Sequence, residues 1–242
     1  MKRCTEMREA VIEEHLGLPA DRIMTVRHED CHQAYGYFST HAPRGRKLIF
    51  TVEGGGDDSS ATVSLAEDGE IQEVYKTNDF QLGRLYRYVT LLLGMKPNQH
   101  EYKIMGLAPY GTEYHGRRSL EFFRSINKVD GLEIVKTQTF PDLYFSSREN
   151  LEGERFDGIA WALQTYVEEV LCEWIANNCR HYGIGDVILS GGVSQNIKAC
   201  KLIAELPEID KLSVAPISCD GSLAVVAAGL THARLTPYLE IQ

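Results

Sequence analysis

No stretch of the 242-residue chain approaches the roughly 20 apolar residues that a membrane-spanning helix requires, so no helical span is expected. The opening MKRCTEMREA has no apolar core of the signal-peptide kind, and the expected compartment is the cytoplasm. C-x-x-C pairs are absent. The six cysteines (Cys4, Cys31, Cys172, Cys179, Cys200 and Cys219) are scattered and read as reduced thiols, most of them small buried hydrophobes. Positive charge is in short supply, with 25 basic against 34 acidic residues and a net charge of −9. That disfavours a broad nucleic-acid or anionic-membrane surface, and leaves room for a local basic pocket around a phosphate ester. Internal repeats and low-complexity tracts are absent too. What remains is an ordinary globular composition, 43% hydrophobic and 24% charged, long enough for one large or two small domains.

The densest chemistry lies in RHEDCHQAYGYFS, residues 27–39. If the chain turns helical at Glu29, His28 and His32 stand one turn apart on one face, where both imidazoles can reach one metal ion. The same spacing also fits two helix histidines, each satisfied by a carbonyl. Upstream, TEMREAVIEEHL (5–16) predicts an amphipathic helix capped by Thr5, with Met7, Val11, Ile12 and Leu16 as its stripe, and Arg22–Val26 reads as a short strand. Downstream, Leu48–Val52 is a strand buried on both faces. Ala61–Leu65 and Ile71–Lys76 complete an antiparallel meander whose second turn is Glu67-Asp68-Gly69-Glu70.

The first turn of that meander is EGGGDDSS, residues 53–60. Triple glycine lets backbone amides approach a phosphate while Asp57 points at a metal or hydroxyl; a flexible hairpin is the plainer alternative. Residues 81–93 form a helix stopped by Gly94 and Pro97, followed by the polar block NQHEYKIMGLAPYG, in which Lys103 is either a phosphate-binding cation or a solvated lysine. Residues 112–154 carry no evident chemistry, and 155–182 is the longest helix. The strand Asp186–Leu189 runs into SGGVSQN and a helix from Ile197. This strand, glycine turn and helix N-terminus fit either an anion site or a plain turn, with Gly191, Gly192, Val193 and Asn196 as the candidate contacts. After a strand at Leu212–Ala215, Asp220 opens a helix expected over Leu223–Ala233, as a cap or as a carboxylate completing the two-histidine site.

RHEDCHQAYGYFS, VEGGGDDSSATV, GMKPNQHEYKIMGLAPYG, SGGVSQN and APISCDGSLAVVAAG occur in the order found in O-carbamoyltransferases of the nodulation and antibiotic-tailoring type, and together they resemble that family over residues 22–230. Less specific motifs are shared with threonylcarbamoyl-adenosine and hydrogenase-maturation relatives. The resemblance implies an α/β fold of the sugar kinase/actin/chaperone type, with ribonuclease-H-like lobes and a shortened N-terminus. The segments would be a partial first lobe (1–111), an insertion or crossover (112–154) and second-lobe elements (155–242). It implies ferrous iron or a similar divalent ion on His28, His32 and Asp220. ATP or carbamoyladenylate would lie against Gly54, Gly55, Gly56, Gly191, Gly192, Val193 and Asn196, and Lys103, Glu53 and Asp57 would take catalytic roles. The donor would derive from carbamoyl phosphate, and the acceptor would be a small-molecule hydroxyl. A partner chain or further domain would form the carbamoyladenylate. A non-catalytic nucleotide-binding or scaffold subunit, or threonylcarbamoyl transfer to tRNA, are the alternatives. Four positions depart from the family pattern: Glu29 replaces a histidine, Gln33 an alanine, Glu53 an aspartate, and CDGSL the usual G-D-x-G-G.

Overall fold

The computed structural model describes residues 2–40, 45–223, 226 and 227. Its centre is a five-stranded mixed sheet in the order β3-β2-β1-β6-β7. β1 (Lys47–Val52), β2 (Ala61–Glu67) and β3 (Glu70–Thr77) form the antiparallel meander. β6 (Asp186–Ser190) then pairs with β1 in parallel, and β7 (Lys211–Val214) pairs with β6. This strand order is that of a ribonuclease-H-like lobe, so the chain is an α/β protein of the expected class.

β1 is central and every residue of it is buried, which is why LIFTV is apolar on both faces except for Thr51, whose hydroxyl pairs with that of Thr62 at 2.7 Å. Period-2 geometry sends Leu48, Phe50 and Val52 to one face and Ile49 to the other. The first face meets α7 (Phe156–Tyr182), whose Trp174 ring sits edge-on to Phe50 and Phe80 at centroid distances of 5.1 and 5.6 Å. On the second face Ile49, Ala66 and Ile188 cluster with Tyr37 of α2 (His28–Ser39), which ties the histidine helix to the sheet. Gly183 ends α7 in the left-handed region at φ 64°, and its N–H and that of Ile184 both donate to Cys179 O.

Several expectations change. The residues assigned to a first lobe (1–111) and a second (155–242) contribute strands to a single sheet, because β1 and β6 are hydrogen-bonded neighbours. Residues 112–154, expected as an insertion or crossover, pack into the main core. α5 (Glu113–Arg124) and the hairpin of β4 (Asn127–Asp130) and β5 (Glu133–Lys136) place Phe122, Phe123, Ile126 and Ile134 in the main core, and Trp174 Nε1 donates to Leu132 O at 2.9 Å. Arg22–Val26 is no strand: a 3-10 turn at Ala20–Arg22 leads into extended chain that pairs with no strand among the described residues. Thr5 lies inside α1 (Lys2–Leu16) instead of capping it, and Met7, Val11 and Leu16 are exposed. The helix expected over Leu223–Ala233 lies largely outside the described residues. Among those described, no helix is long and apolar enough to cross a membrane.

Candidate metal centre

The C-terminal end of β1 is where the site is assembled. Val52 closes the strand, Glu53 follows it, and Glu53 N–H donates to Ser60 O at 2.8 Å, closing the first glycine loop. α2 starts at His28 beside this loop, because Asp57 Oδ2 accepts the His28 backbone N–H at 2.9 Å. A carboxylate from a distant loop thus supplies the cap that Arg27, the residue before the helix, does not. Asp57 is a helix cap here, outside the metal cluster.

The predicted turn of helix brings the imidazoles together, with Nε2 to Nε2 at 3.1 Å. Glu53 reaches both: Oε2 is 2.5 Å from His28 Nε2 and Oε1 is 2.5 Å from His32 Nε2. Asp220, 188 residues beyond His32, places Oδ1 3.8 Å from His28 Nε2 and 3.6 Å from His32 Nε2. One ligand-type atom from each of His28, His32, Glu53 and Asp220 lies within 4.8 Å of the others. Burial would raise the Glu53 carboxyl, but hydrogen bonds from His28 and His32 outweigh it and hold the group down to about 2. The hydrogen bond to Glu53 raises His28 above its ordinary value, against the opposing effect of burial.

This donor set suits a divalent ion. Two nitrogens each about 2.1 Å from one ion, at an angle of roughly 95°, lie about 3.1 Å apart, as the two Nε2 atoms do. Two imidazoles with carboxylate oxygens are a set that iron, manganese and zinc accept.

Both glycine turns border the cluster. In the second, Gly191 has φ 88°, and a Cβ there would come 2.6 Å from Val52 O and 2.9 Å from Glu53 Cγ. Gly192 N–H donates to Glu53 Oε1 at 3.2 Å. Asn196 is internal. Its Oδ1 accepts from Ala199 N–H and Gln164 Nε2, while its Nδ2 donates to the Tyr86 hydroxyl and Gln164 Oε1. It caps α8 (Ile197–Ala204) and has no free polar atom to offer a nucleotide. Val193 is buried in the core. In the first turn, Gly56 N–H bonds Ser59 O, and Asp58 and Ser59 N–H both donate to Glu29 Oε1 at 3.0 Å. Glu29 is therefore a buried clamp on this loop, which gives the histidine-to-glutamate departure a structural use. Lys103 is exposed on α4 (Glu101–Leu107), its ammonium 5.9 Å from the centroid of the Tyr102 ring.

Two neighbours of the site had no signal in spacing or composition. Gly83, near the start of α3 (Leu82–Leu92), donates its N–H to Glu53 O, and a Cβ on it would come 2.6 Å from Gly54 N. Arg84, next to it, brings Nη2 to 3.0 Å from where a Gly55 Cβ would stand.

The sequence also has relatives among known proteins. The chain is 29% identical over 213 residues to nodulation protein NolNO of Sinorhizobium fredii, covering 86% of this chain and 31% of that protein. It is 24% identical over 195 residues to nodulation protein NolO of Bradyrhizobium diazoefficiens, covering 78% and 35%. An uncharacterised protein of Methanocaldococcus jannaschii is 27% identical over 182 residues, covering 72% and 35%. The chain thus spans about a third of the length of these relatives. The model of the carbamoyltransferase N-terminus family matches residues 17–229, which include the histidine helix, both glycine turns and Asp220, and the chain belongs to that family.

Proposed function

We propose that this chain is the metal-dependent carbamoyl-transfer part of an enzyme that moves a carbamoyl group from carbamoyladenylate to a hydroxyl of a small-molecule acceptor. The observation that carries the proposal is the convergence of His28, His32, Glu53 and Asp220 at the end of β1, bordered by two glycine turns. His28, His32 and Asp220 would hold the ion, with Glu53 beside them as ligand or as hydrogen-bond acceptor for the imidazoles. A bound ferrous or similar ion supplies Lewis-acid polarisation of the carbamoyl or phosphoryl oxygen.

The chain's own residues do the rest. Gly192 N–H and the two imidazoles fix the Glu53 carboxylate, so its charge faces the cluster. That charge helps hold a cation, and the protons released when the imidazole nitrogens are freed to ligate pass to solvent. Glu29 keeps the first glycine loop in place against α2. ATP or carbamoyladenylate would lie along the two glycine turns. Formation of the carbamoyladenylate from carbamoyl phosphate is assigned to a further domain or partner chain, consistent with the share of the relatives' length that this chain covers.

The test is metal content after anaerobic loading with ferrous ion. Wild-type protein should retain about one ion per chain, and His28→Ala should bind it at least ~10–100-fold more weakly. No retained ion in a folded wild-type sample, under any loading condition, defeats the proposal.

A further inference from the structure

The arginines that brace this fold have acidic partners. Arg27, Arg118, Arg124, Arg155 and Arg180 each meet a carboxylate within 3.1 Å. Arg84 is half-buried, and among the described residues no carboxylate stands within ion-pair distance of it. Its Nη1 donates to the neutral Gln81 Oε1 at 3.2 Å, and its Nε is buried with no acceptor. Withdrawing a guanidinium from water without an anion is costly, and an anion from solution would offset that cost.

Arg84 also lines a cleft of about 290 Å³ between α3 and the chain following β5. Asn127, only 4% exposed, lines the same cleft, and its Nδ2 has no acceptor. Tyr88 and Phe140 add aromatic wall. Three atoms lining it are left without partners, Arg84 Nε, Asn127 Nδ2 and the Tyr166 hydroxyl; the first two can only donate and the third can donate as well. A ligand that satisfies them must bring acceptor oxygens, and beside an arginine those oxygens are best charged. The acids of the cleft do not oppose this. Asp79 is held by Lys136 at 2.6 Å, and Asp142 accepts Phe145 N–H at the start of α6 (Leu143–Leu151).

We propose that this cleft binds a small molecule through its oxyanion, a phosphate monoester or a carboxylate, received by Arg84 and Asn127. The inference does not rest on the carbamoyl-transfer reading, although Arg84 connects the cleft to the metal cluster through Gly55 and Gly54.

Proton–nitrogen NMR of the full chain tests it, following the Arg84 Nε–H and Asn127 side-chain amide signals during titration with inorganic phosphate and, separately, acetate. Saturable shifts at both residues are expected. A response to phosphate only assigns a phosphate ester, and a response to acetate only assigns a carboxylate. Arg84→Gln should abolish the Asn127 response, and Asn127→Asp, which puts a negative charge at the cleft wall, should weaken binding at least ~10-fold. Absence of any saturable shift in wild-type protein, which is decisive even where a variant fails to fold, overturns the proposal. So does an Asn127 response that persists unchanged in Arg84→Gln. Ferrous-ion content of Arg84→Gln should match wild type. Failure of wild-type protein to hold the ion would remove the carbamoyl-transfer reading and leave this one standing.

Discussion

The two glycine turns look alike as sequence and serve different ends in the structure. EGGGDDSS and SGGVSQN each place consecutive glycines after a buried strand, the pattern that suggests backbone amides approaching a phosphate. In the first turn much of that capacity is spent internally. Gly54 lies against the backbone of α3, Gly56 against the buried carboxylate of Glu29, and Asp58 and Ser59 amides donate to that same carboxylate. In the second turn the work is divided between neighbours. Gly191 lets the turn pack on β1, while Gly192 has open space where its side chain would be and donates its amide to Glu53. A glycine run therefore signals close approach without saying what approaches, and here the answers include a helix backbone, a carboxylate and a strand.

The division inside the second turn can be broken with one pair of variants. Gly191→Ala would force a Cβ to 2.6 Å from Val52 O at φ 88°. Backbone on both sides cannot yield, so a loss of about 3–4 kcal/mol is expected in urea unfolding, together with weaker metal binding as Glu53 is displaced. Gly192→Ala meets nothing within 4 Å at an ordinary φ and should stay within about 0.5 kcal/mol of wild type. Equal losses from the two would mean that the turn has no such division.

The first turn is tested by Gly56→Ala. The new Cβ would overlap Glu29 Oε1 at 2.2 Å and crowd Ser59 O at 3.0 Å. Glu29 is a side chain and can move, but only by giving up the Asp58 and Ser59 amides inside the protein, which costs about 2 kcal/mol. Combining Gly56→Ala with Glu29→Ala should lose less than the sum of the single changes, because each removes the same clamp. Additive losses would show that Glu29 does not hold the loop.

How much of this was legible beforehand follows from range. Local periodicity gives α3, α7 and the meander correctly, because an apolar stripe or a buried run is written in adjacent residues. The His28 and His32 pairing is likewise a one-turn matter, and the resemblance to a family places Asp220 with them. Misreadings arise where a residue's partner is distant in sequence. Asp57 looks like a catalytic carboxylate until α2 is seen to lack a cap of its own. Asn196 looks free until Tyr86 and Gln164 are packed against it. Arg84 is one basic residue in an amphipathic helix until the loop at Gly55 folds onto it. The division into lobes fails for the same reason. Nothing local to Leu48–Val52 or Asp186–Leu189 states that the two are parallel neighbours.

The remaining contrast between the turns is electrostatic, since Glu53 belongs to the first and takes a hydrogen bond from the second. In metal-free protein its carboxyl is held near 2, below the ordinary value of about 4.3, so the stability it contributes is complete above about pH 4.3 and is lost as pH falls toward 2. His28 shifts the other way. Its contribution is complete below about pH 6.5 and is lost as pH rises through its elevated folded value. The two windows overlap between about pH 4.3 and 6.5. Glu53→Gln removes the charge that supports both shifts, so the stability gap between wild type and variant, about 1 kcal/mol, should be widest in that interval and narrow on either side. Chelator-treated samples unfolded by urea across the range would show it. A gap that does not vary with pH would mean that Glu53 stabilises the end of β1 by packing and neutral hydrogen bonding, and that its charge is held in reserve for a cation.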